Sequence, residues 1–221
     1  MNQNCQLVLR TVALFPIFLI LTVSAIAQPA ERHIVESKGW QIEPATPAEI
    51  NRRIDEAAVK YSEYAPVPRV AFYDIAYPKD SSEYLDLDGN AVLVITVLSQ
   101  EQAELPLKRV YVSLDGSDIE LKPITLVLSK QANLESQSAK TFGRYRADAI
   151  YLIPVYLCLK NANLVADFAK NRTAFKVGEF SPDVPPDVAS LPIKRPGGTG
   201  PSKLALMRLL QREYPGFIRE K

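Results

Sequence analysis

Histidine and cysteine are nearly missing from this chain, which has one histidine and two cysteines in 221 residues. Beyond the first 27 positions only His33 and Cys158 remain. A zinc site, or catalysis by a Ser–His or Cys–His pair, would have to use His33 near the start of the chain. We therefore predict no metal site, no cofactor and no catalytic residue. Cys158 lies in the apolar run YLIPVYLCLK, which predicts a buried, inert thiol.

Net charge is also almost absent, with 26 basic and 25 acidic residues. One basic residue, Arg10, and no acidic residue lies in the first 27 positions, so the remaining 194 residues are balanced. Domains that bind nucleic acids usually carry a basic patch and a basic excess. The composition therefore gives no reason to expect nucleic acid as a partner.

Long apolar runs are confined to the beginning of the chain. Residues 12–23 read VALFPIFLILTV after a polar start and Arg10, and the run ends in Ser-Ala-Ile-Ala. A positive charge, an apolar core and small residues, in that order, are typical of a secretory signal. We predict cleavage between Ala27 and Gln28, which would place the mature protein outside the cytoplasm, in the periplasm or secreted.

An uncleaved membrane anchor is the alternative. Residues 7–27 form an apolar stretch of 21 residues, and about 20 are enough to cross a bilayer. The protein would then stay attached to the membrane outside the cytoplasm. No later segment reaches about 18 uninterrupted apolar residues, so we expect no further span.

Proline, glycine and apolar periodicity divide the chain into five parts. These are a secretory signal at 1–27, an irregular lead at 28–45, a domain of a helix plus strands at 46–180, a Pro/Gly-rich linker at 181–201 and an amphipathic helix at 202–221.

The domain is predicted to open with a helix. Thr46 suits the N-cap, Pro47 the first helical position, and Glu49 can reach back to the backbone N–H of the cap. One helical face then carries the apolar residues Ile50, Ile54, Ala57, Ala58 and Tyr61. Pro66 and Pro68 predict an end by about Tyr64.

Short β-prone runs follow the helix. The run AVLVITVL at 91–98 is typical of a strand buried on both faces. Asp115-Gly116 between two alternating runs predicts a hairpin, and Pro123 predicts a bulge or an edge in the second run. A further strand is predicted to begin at a solvated rim that carries Arg144, Arg146 and Asp148, and then to enter the core.

Six or seven such strands predict a mainly β fold. The absence of an amphipathic helix pattern between Val67 and Gly178 argues against a parallel α/β sheet. We predict an antiparallel β-sandwich, of immunoglobulin-like type, with an N-terminal helix and a C-terminal helix. The Cys…Trp…Cys framework of true immunoglobulin domains is absent from the sequence.

Three motifs suggest ligands but lack required residues. The loop DLDGN at 86–90 is followed by Ala91 and Val97 where an EF-hand needs Gly and Glu. The segment 195–203, RPGGTGPSK, lacks the residue order and the preceding strand of a phosphate loop. Carboxylates Glu83, Asp86 and Asp88 lie together in a polar loop with nothing to raise the pKa of one above another, which favours a solvated loop over a catalytic pair.

Charge is distributed unevenly along the chain. Residues 79–120 contain nine acidic and three basic residues, whereas 194–221 contain seven basic and two acidic ones. The basic segment includes a helix predicted over 203–214, with Ser202 as N-cap and a broad apolar stripe. We expect this helix to dock on its own domain; the alternative is peripheral contact with a membrane or a partner.

An exported β-rich chain without a recognisable catalytic set favours a non-catalytic binding or envelope-accessory protein. Its partner would be an unknown protein or envelope component. The alternative is a secreted carboxylate-dependent hydrolase acting on glycan or peptide. Two carboxyl groups facing each other across a deep cleft would favour the hydrolase.

Overall fold

A computed structural model describes residues 40–42, 46–102, 105, 107–168, 174–180, 184–193 and 199–220. Its helices are α1 (Ala48–Lys60), α2 (Ser81–Asp86), α3 (Gln137–Phe142), α4 (Val155–Cys158), α5 (Pro186–Ala189) and α6 (Lys203–Glu213). Short 3-10 helices cover Ser62–Tyr64 and Pro215–Phe217.

The strands are β1 (Trp40–Ile42), β2 (Arg69–Ala76), β3 (Asn90–Ser99), β4 (Leu107–Leu114), β5 (Ser117–Glu120), β6 (Lys122–Lys130), β7 (Tyr145–Pro154), β8 (Ala162–Phe168), β9 (Ala174–Phe180) and β10 (Ile218–Glu220). The first sheet has the order β2-β3-β7-β6, the second has the order β5-β4-β8-β9, and β1 pairs with β10. Every pairing is antiparallel. The prediction of a mainly β, antiparallel fold is confirmed.

A hairpin joins β4 to β5 at the predicted dipeptide. Asp115 and Gly116 have φ values of 51° and 78°, the pair of positive values that a tight two-residue hairpin turn requires. After β5 the chain passes through the buried Leu121 into β6, which belongs to the other sheet. The register shifts between Pro123 and Thr125, and β6 is an edge strand, as the proline predicted.

Strand β3 is buried on both faces, as its continuous apolar run predicted. Leu93, Ile95 and Val97 belong to a core that includes side chains from both sheets. Val92 and Val94 belong to a second core, between the first sheet and the helices. The first sheet is therefore the middle layer of the described fold.

Helix α1 buries Ile50, Ile54 and Ala58 against the first sheet, as its periodicity predicted. The predicted cap is wrong, because α1 begins at Ala48 and no side chain caps it. Glu49 instead accepts hydrogen bonds from the guanidinium groups of Arg52 and Arg53, one turn further on. Tyr61, predicted on the apolar face, is 41% exposed.

Helix α6 packs on the same core. The Ser202 hydroxyl accepts a hydrogen bond from the Ala205 amide, so the predicted N-cap is confirmed. Leu206, Leu209 and Leu210 are buried in the core between the helices and the first sheet. These contacts correspond to docking on the domain, the expected arrangement.

Three short helices lie in the described part of the chain between Val67 and Gly178, where the sequence shows no amphipathic helix pattern. Helix α2 is the clearest, since the Asp80 side chain accepts a hydrogen bond from the Glu83 amide and Tyr84 is buried. Six residues are too few to show a helical period, so the segment resembled a polar loop. No helix in the described part of the chain is long and apolar enough to span a bilayer.

Part of the predicted linker at 181–201 is a strap over one end of the sheets. Val184 and Val188 are buried in the core that includes side chains from both sheets. The Tyr84 hydroxyl donates a hydrogen bond to the Pro192 carbonyl at 2.6 Å. Residues 184–193 are therefore fastened to the domain at both ends of this described stretch.

Candidate ligand-binding cleft

A cleft of about 330 Å³ opens at the outer edge of β2. We call it the β2 cleft. Its described lining combines one cation, one carboxyl group and several apolar or aromatic side chains: Arg53, Tyr73, Asp74, Ile75, Tyr77, Phe180 and Pro185. Its volume is at the lower end of the usual range of ligand pockets, about 300–1,000 Å³.

Arg53 brings the positive charge to the cleft from helix α1. Its Nη1 donates to the Tyr73 carbonyl at 2.8 Å, and its Nε donates to Glu49 Oε1 at 2.9 Å. The guanidinium groups of Arg52 and Arg53 lower the pKa of Glu49 to about 2. Glu49 therefore remains an anion, and the Arg53 guanidinium is held in place before any ligand arrives.

Asp74 is the carboxyl group of the cleft. Its Oδ2 accepts a hydrogen bond at 3.2 Å from the hydroxyl of Tyr214, the residue that follows the end of α6. Burial raises the pKa of Asp74, although the Tyr214 hydrogen bond and the Arg53 charge act against this rise. Burial also raises the pKa of Tyr214 well above its usual value, so its hydroxyl keeps the proton that it donates.

Tyr73 connects the edges of the two sheets beside the cleft. Its hydroxyl donates to the Glu179 carbonyl on β9 at 2.8 Å, and its ring meets Phe180 edge to face at 5.9 Å. A Cβ atom at Gly178 would lie 2.2 Å from Tyr73 Cε1. Glycine is therefore required at position 178 for this ring to lie against β9.

A second concavity also has Phe180 in its lining. It has a volume of about 360 Å³ and is lined largely by apolar groups, including Cys158, Val184 and Ala189. Cys158 is 1% exposed, and burial raises its pKa to about 12. The prediction that Cys158 is buried is confirmed, and its raised pKa agrees with the prediction of an inert thiol, because a thiolate nucleophile needs a lowered pKa.

The prediction that Asp148 lies at a solvated rim is wrong. Asp148 is 1% exposed, beneath the helix layer. Its Oδ1 accepts from the Thr96 hydroxyl at 2.7 Å, and Arg146 Nε donates to both of its oxygens. Arg146 Nη2 also donates to Asn51 on α1. The alternating charges of the strand indicated solvent because the sequence does not show that α1 covers them.

The acidic loop that contains Glu83, Asp86 and Asp88 makes structural contacts with the C-terminal segment. Arg212 Nη1 donates to both oxygens of Glu83, at 2.8 and 3.0 Å. This pair links the acidic segment to the basic one. Asp88 has a positive φ of 55° and accepts from the Gly200 amide, so the DLDGN sequence ends in a turn that holds the segment just before α6.

No group of three His, Cys, Asp or Glu side chains in the described residues has the arrangement of a metal site. The predicted signal with its cleavage point at Ala27 and Gln28, and also His33, lie outside the described residues. Their functions stay predictions from sequence. The β2 cleft was missed because its residues come from positions 53 to 185 and carry no local motif.

Comparisons with known proteins give no relative. No family model, no curated protein and no solved structure matches this chain.

Proposed function

We propose that the chain is an exported, non-catalytic binding or envelope-accessory module with an immunoglobulin-like fold, and that its ligand occupies the β2 cleft. The main observation behind this proposal is the Arg53 guanidinium. It is fixed by two hydrogen bonds on the lining of the cleft, and its Nη2 has no hydrogen-bond partner among the described residues. A donor held in place in advance loses little entropy on binding.

Strand order supports the immunoglobulin-like part of the proposal. Immunoglobulin domains have strands A, B, E and D in one sheet and C, F and G in the other, with an added C′ strand beside C in some types. If β2, β3, β4 and β5 are taken as A, B, C and C′, and β6 to β9 as D to G, the two observed orders become A-B-E-D and C′-C-F-G.

Export rests on the sequence of residues 1–27. The test is to express the full chain with a C-terminal tag in a bacterial host, and to sequence the N-terminus of the recovered protein. We expect it in the extracytoplasmic fraction, beginning at Gln28. Recovery from the cytoplasm with Met1 in place would contradict export, and recovery with the membrane would favour the uncleaved anchor.

A carboxylate-dependent hydrolase is the second candidate, favoured by the raised pKa of Asp74 in a cleft. Such enzymes generally use two carboxyl groups, and Asp74 is the only one among the described lining residues. Glu49, whose charge also acts on Asp74, is paired with two arginines on the surface of α1.

One panel of ligands tests both candidates. The protein is incubated with blocked peptides and soluble oligosaccharides, which are followed by ligand-observed NMR for binding and by mass spectrometry for cleavage. We expect binding that Arg53→Gln weakens, with every ligand intact. Cleavage that Asp74→Asn abolishes would establish the hydrolase instead, and absence of binding across the panel would contradict the binding module.

A further inference from the structure

We infer that the β2 cleft binds a short stretch of extended polypeptide, and that Arg53 and Asp74 recognise one of its backbone amide groups. This inference rests on the proposed function, because it names the class of ligand for the same cleft. It depends on three features of the cleft: a donor–acceptor pair, an edge strand and apolar side chains in the walls.

The donor and the acceptor match a peptide group. An amide carries one N–H and one carbonyl. Arg53 Nη2, which makes no bond to any described residue, can donate to the carbonyl. Asp74 can accept the N–H, since a carboxylate has about four acceptor positions and the described donors to it are the Tyr214 hydroxyl and the Ile75 amide. A ligand carboxylate would instead meet Asp74 as a second anion.

The free edge of β2 indicates that an extended ligand would lie along this strand. In the described part of the sheet β2 pairs with β3 alone. The Tyr73 carbonyl, which accepts from Arg53 on α1, marks the side of the strand that faces away from β3. Extended peptides commonly bind along such edges, with alternate side chains entering pockets beside the strand. The pocket here lies beside Ile75.

The walls of the cleft favour an apolar side chain of a peptide over a sugar ring, which would need to stack on an aromatic face. Ile75, Phe180 and Pro185 supply apolar contacts. Phe180 is 3% exposed, and the Tyr73 ring meets it by an edge while packing on Gly178. Both rings are therefore engaged in packing, which leaves them less available to stack on a sugar. A small apolar side chain needs no such face, so we favour peptide over glycan.

The experiment is a titration of ¹⁵N-labelled mature protein, residues 28–221, with the blocked peptide acetyl-Val-Thr-Val-Thr-Val-amide. Two further probes are the same peptide methylated on the nitrogen of its central valine and a soluble glucan hexasaccharide. We expect saturable shifts of the Ile75 and Tyr77 amides below about 5 mM of the unmodified peptide, a modest affinity for so small a site.

Two variants and a matched control locate the contact. Arg53→Gln and Asp74→Asn should each weaken peptide binding about tenfold or more, as expected when one charge-assisted hydrogen bond is lost. Arg52→Gln should bind like the wild type, because Arg52 lies on the same helix and also pairs with Glu49 but does not line the cleft. Undisturbed spectra of the free variants would show that they fold.

Other outcomes would overturn the inference. Equal binding of the N-methylated peptide would do so, as would shifts at other sites or no shift from the peptide at about 5 mM. Saturable, Arg53-dependent shifts with the hexasaccharide alone would also overturn it, yet would support the proposed binding module. Failure of the peptide is thereby distinguished from failure of the proposed function.

Discussion

Two carboxyl groups, Asp74 and Asp148, lie on the same face of the first sheet, beneath the helices, and are held in different ways. In the register, Asp74 faces Val94 and Asp148 faces Thr96, two positions further along β3. Asp148 is bound by the Arg146 guanidinium and by a threonine. Asp74 is bound by a tyrosine, has Arg53 nearby, and opens onto a cleft.

This difference separates a structural carboxyl group from one available to a ligand. Burial raises the pKa of both groups. Asp148 is enclosed, and its hydrogen bonds connect two strands and, through Arg146, helix α1. Asp74 has acceptor capacity left and lies where a ligand can reach it. The four predictions below test that separation, from the largest expected effect to the smallest.

Replacing Asp148 should have the largest effect. Asp148→Ala leaves the Arg146 guanidinium largely buried without its counter-charge, which should lower the free energy of unfolding by about 3–5 kcal/mol. Urea denaturation at neutral pH measures this. The control is Asp118→Ala, because Asp118 is 45% exposed and 4.0 Å from Arg109, and should cost less than about 1 kcal/mol. Similar losses would contradict a structural function for Asp148.

Removing the threonine donor should have the next largest effect. Thr96→Val keeps the shape but deprives the buried Asp148 Oδ1 of its 2.7 Å hydrogen bond, which should cost about 1–3 kcal/mol in urea denaturation. Asn51→Ala removes the outer member of the same network, an exposed contact. If Asn51→Ala lowers the free energy of unfolding more than Thr96→Val does, the buried Thr96–Asp148 contact is not the main source of the network's stability.

Tyr214→Phe tests the cleft carboxyl and should have a smaller effect. It removes the 3.2 Å hydrogen bond to Asp74 and should cost about 0.5–1.5 kcal/mol. It should also raise the pKa of Asp74 further, because that bond favours the ionised form. Carboxyl ¹³C NMR across a pH titration measures the change. An unaltered pKa would show that Tyr214 does not control this group.

Replacing Asp74 by asparagine should have the smallest effect of the four on the free energy of unfolding, and this effect should depend on pH. Because the pKa of folded Asp74 is raised, its contribution to stability is present below the unfolded value of about 3.9 and is lost as pH rises through the folded value. The advantage of the asparagine variant in urea denaturation should therefore grow as the pH rises above about 4, while staying below about 1 kcal/mol. A difference independent of pH would contradict the raised pKa.

Local chemistry was enough to predict much of the fold. Asp115-Gly116 predicted a turn because few residue pairs accept two positive φ values, and the run at 91–98 predicted two buried faces because it contains no charged residue. Helix α2 was missed, although Asp80 followed by Glu83 is a capping pattern that could have indicated it. The signal was there, but six residues gave no period to support it.

The burial and the partners of the two carboxyl groups could not be predicted from neighbouring residues in the sequence. Asp148 follows two arginines on one side of a strand, a pattern that fits solvent until another element covers it. Asp74 and Tyr214 are 140 positions apart, and Arg53 lies on a third element. Their meeting depends on where α1 and α6 dock, which depends on the whole apolar core.

The Arg53 contact with the Tyr73 carbonyl also has a consequence for self-association. An edge strand invites copies of the same chain to pair with it, and fibrils grow when every backbone group finds such a partner. Here one carbonyl of the edge is already occupied by a charged side chain. A continuous ladder of copies along β2 would be interrupted at this carbonyl, and we expect this to disfavour edge-to-edge pairing while leaving room for a short ligand.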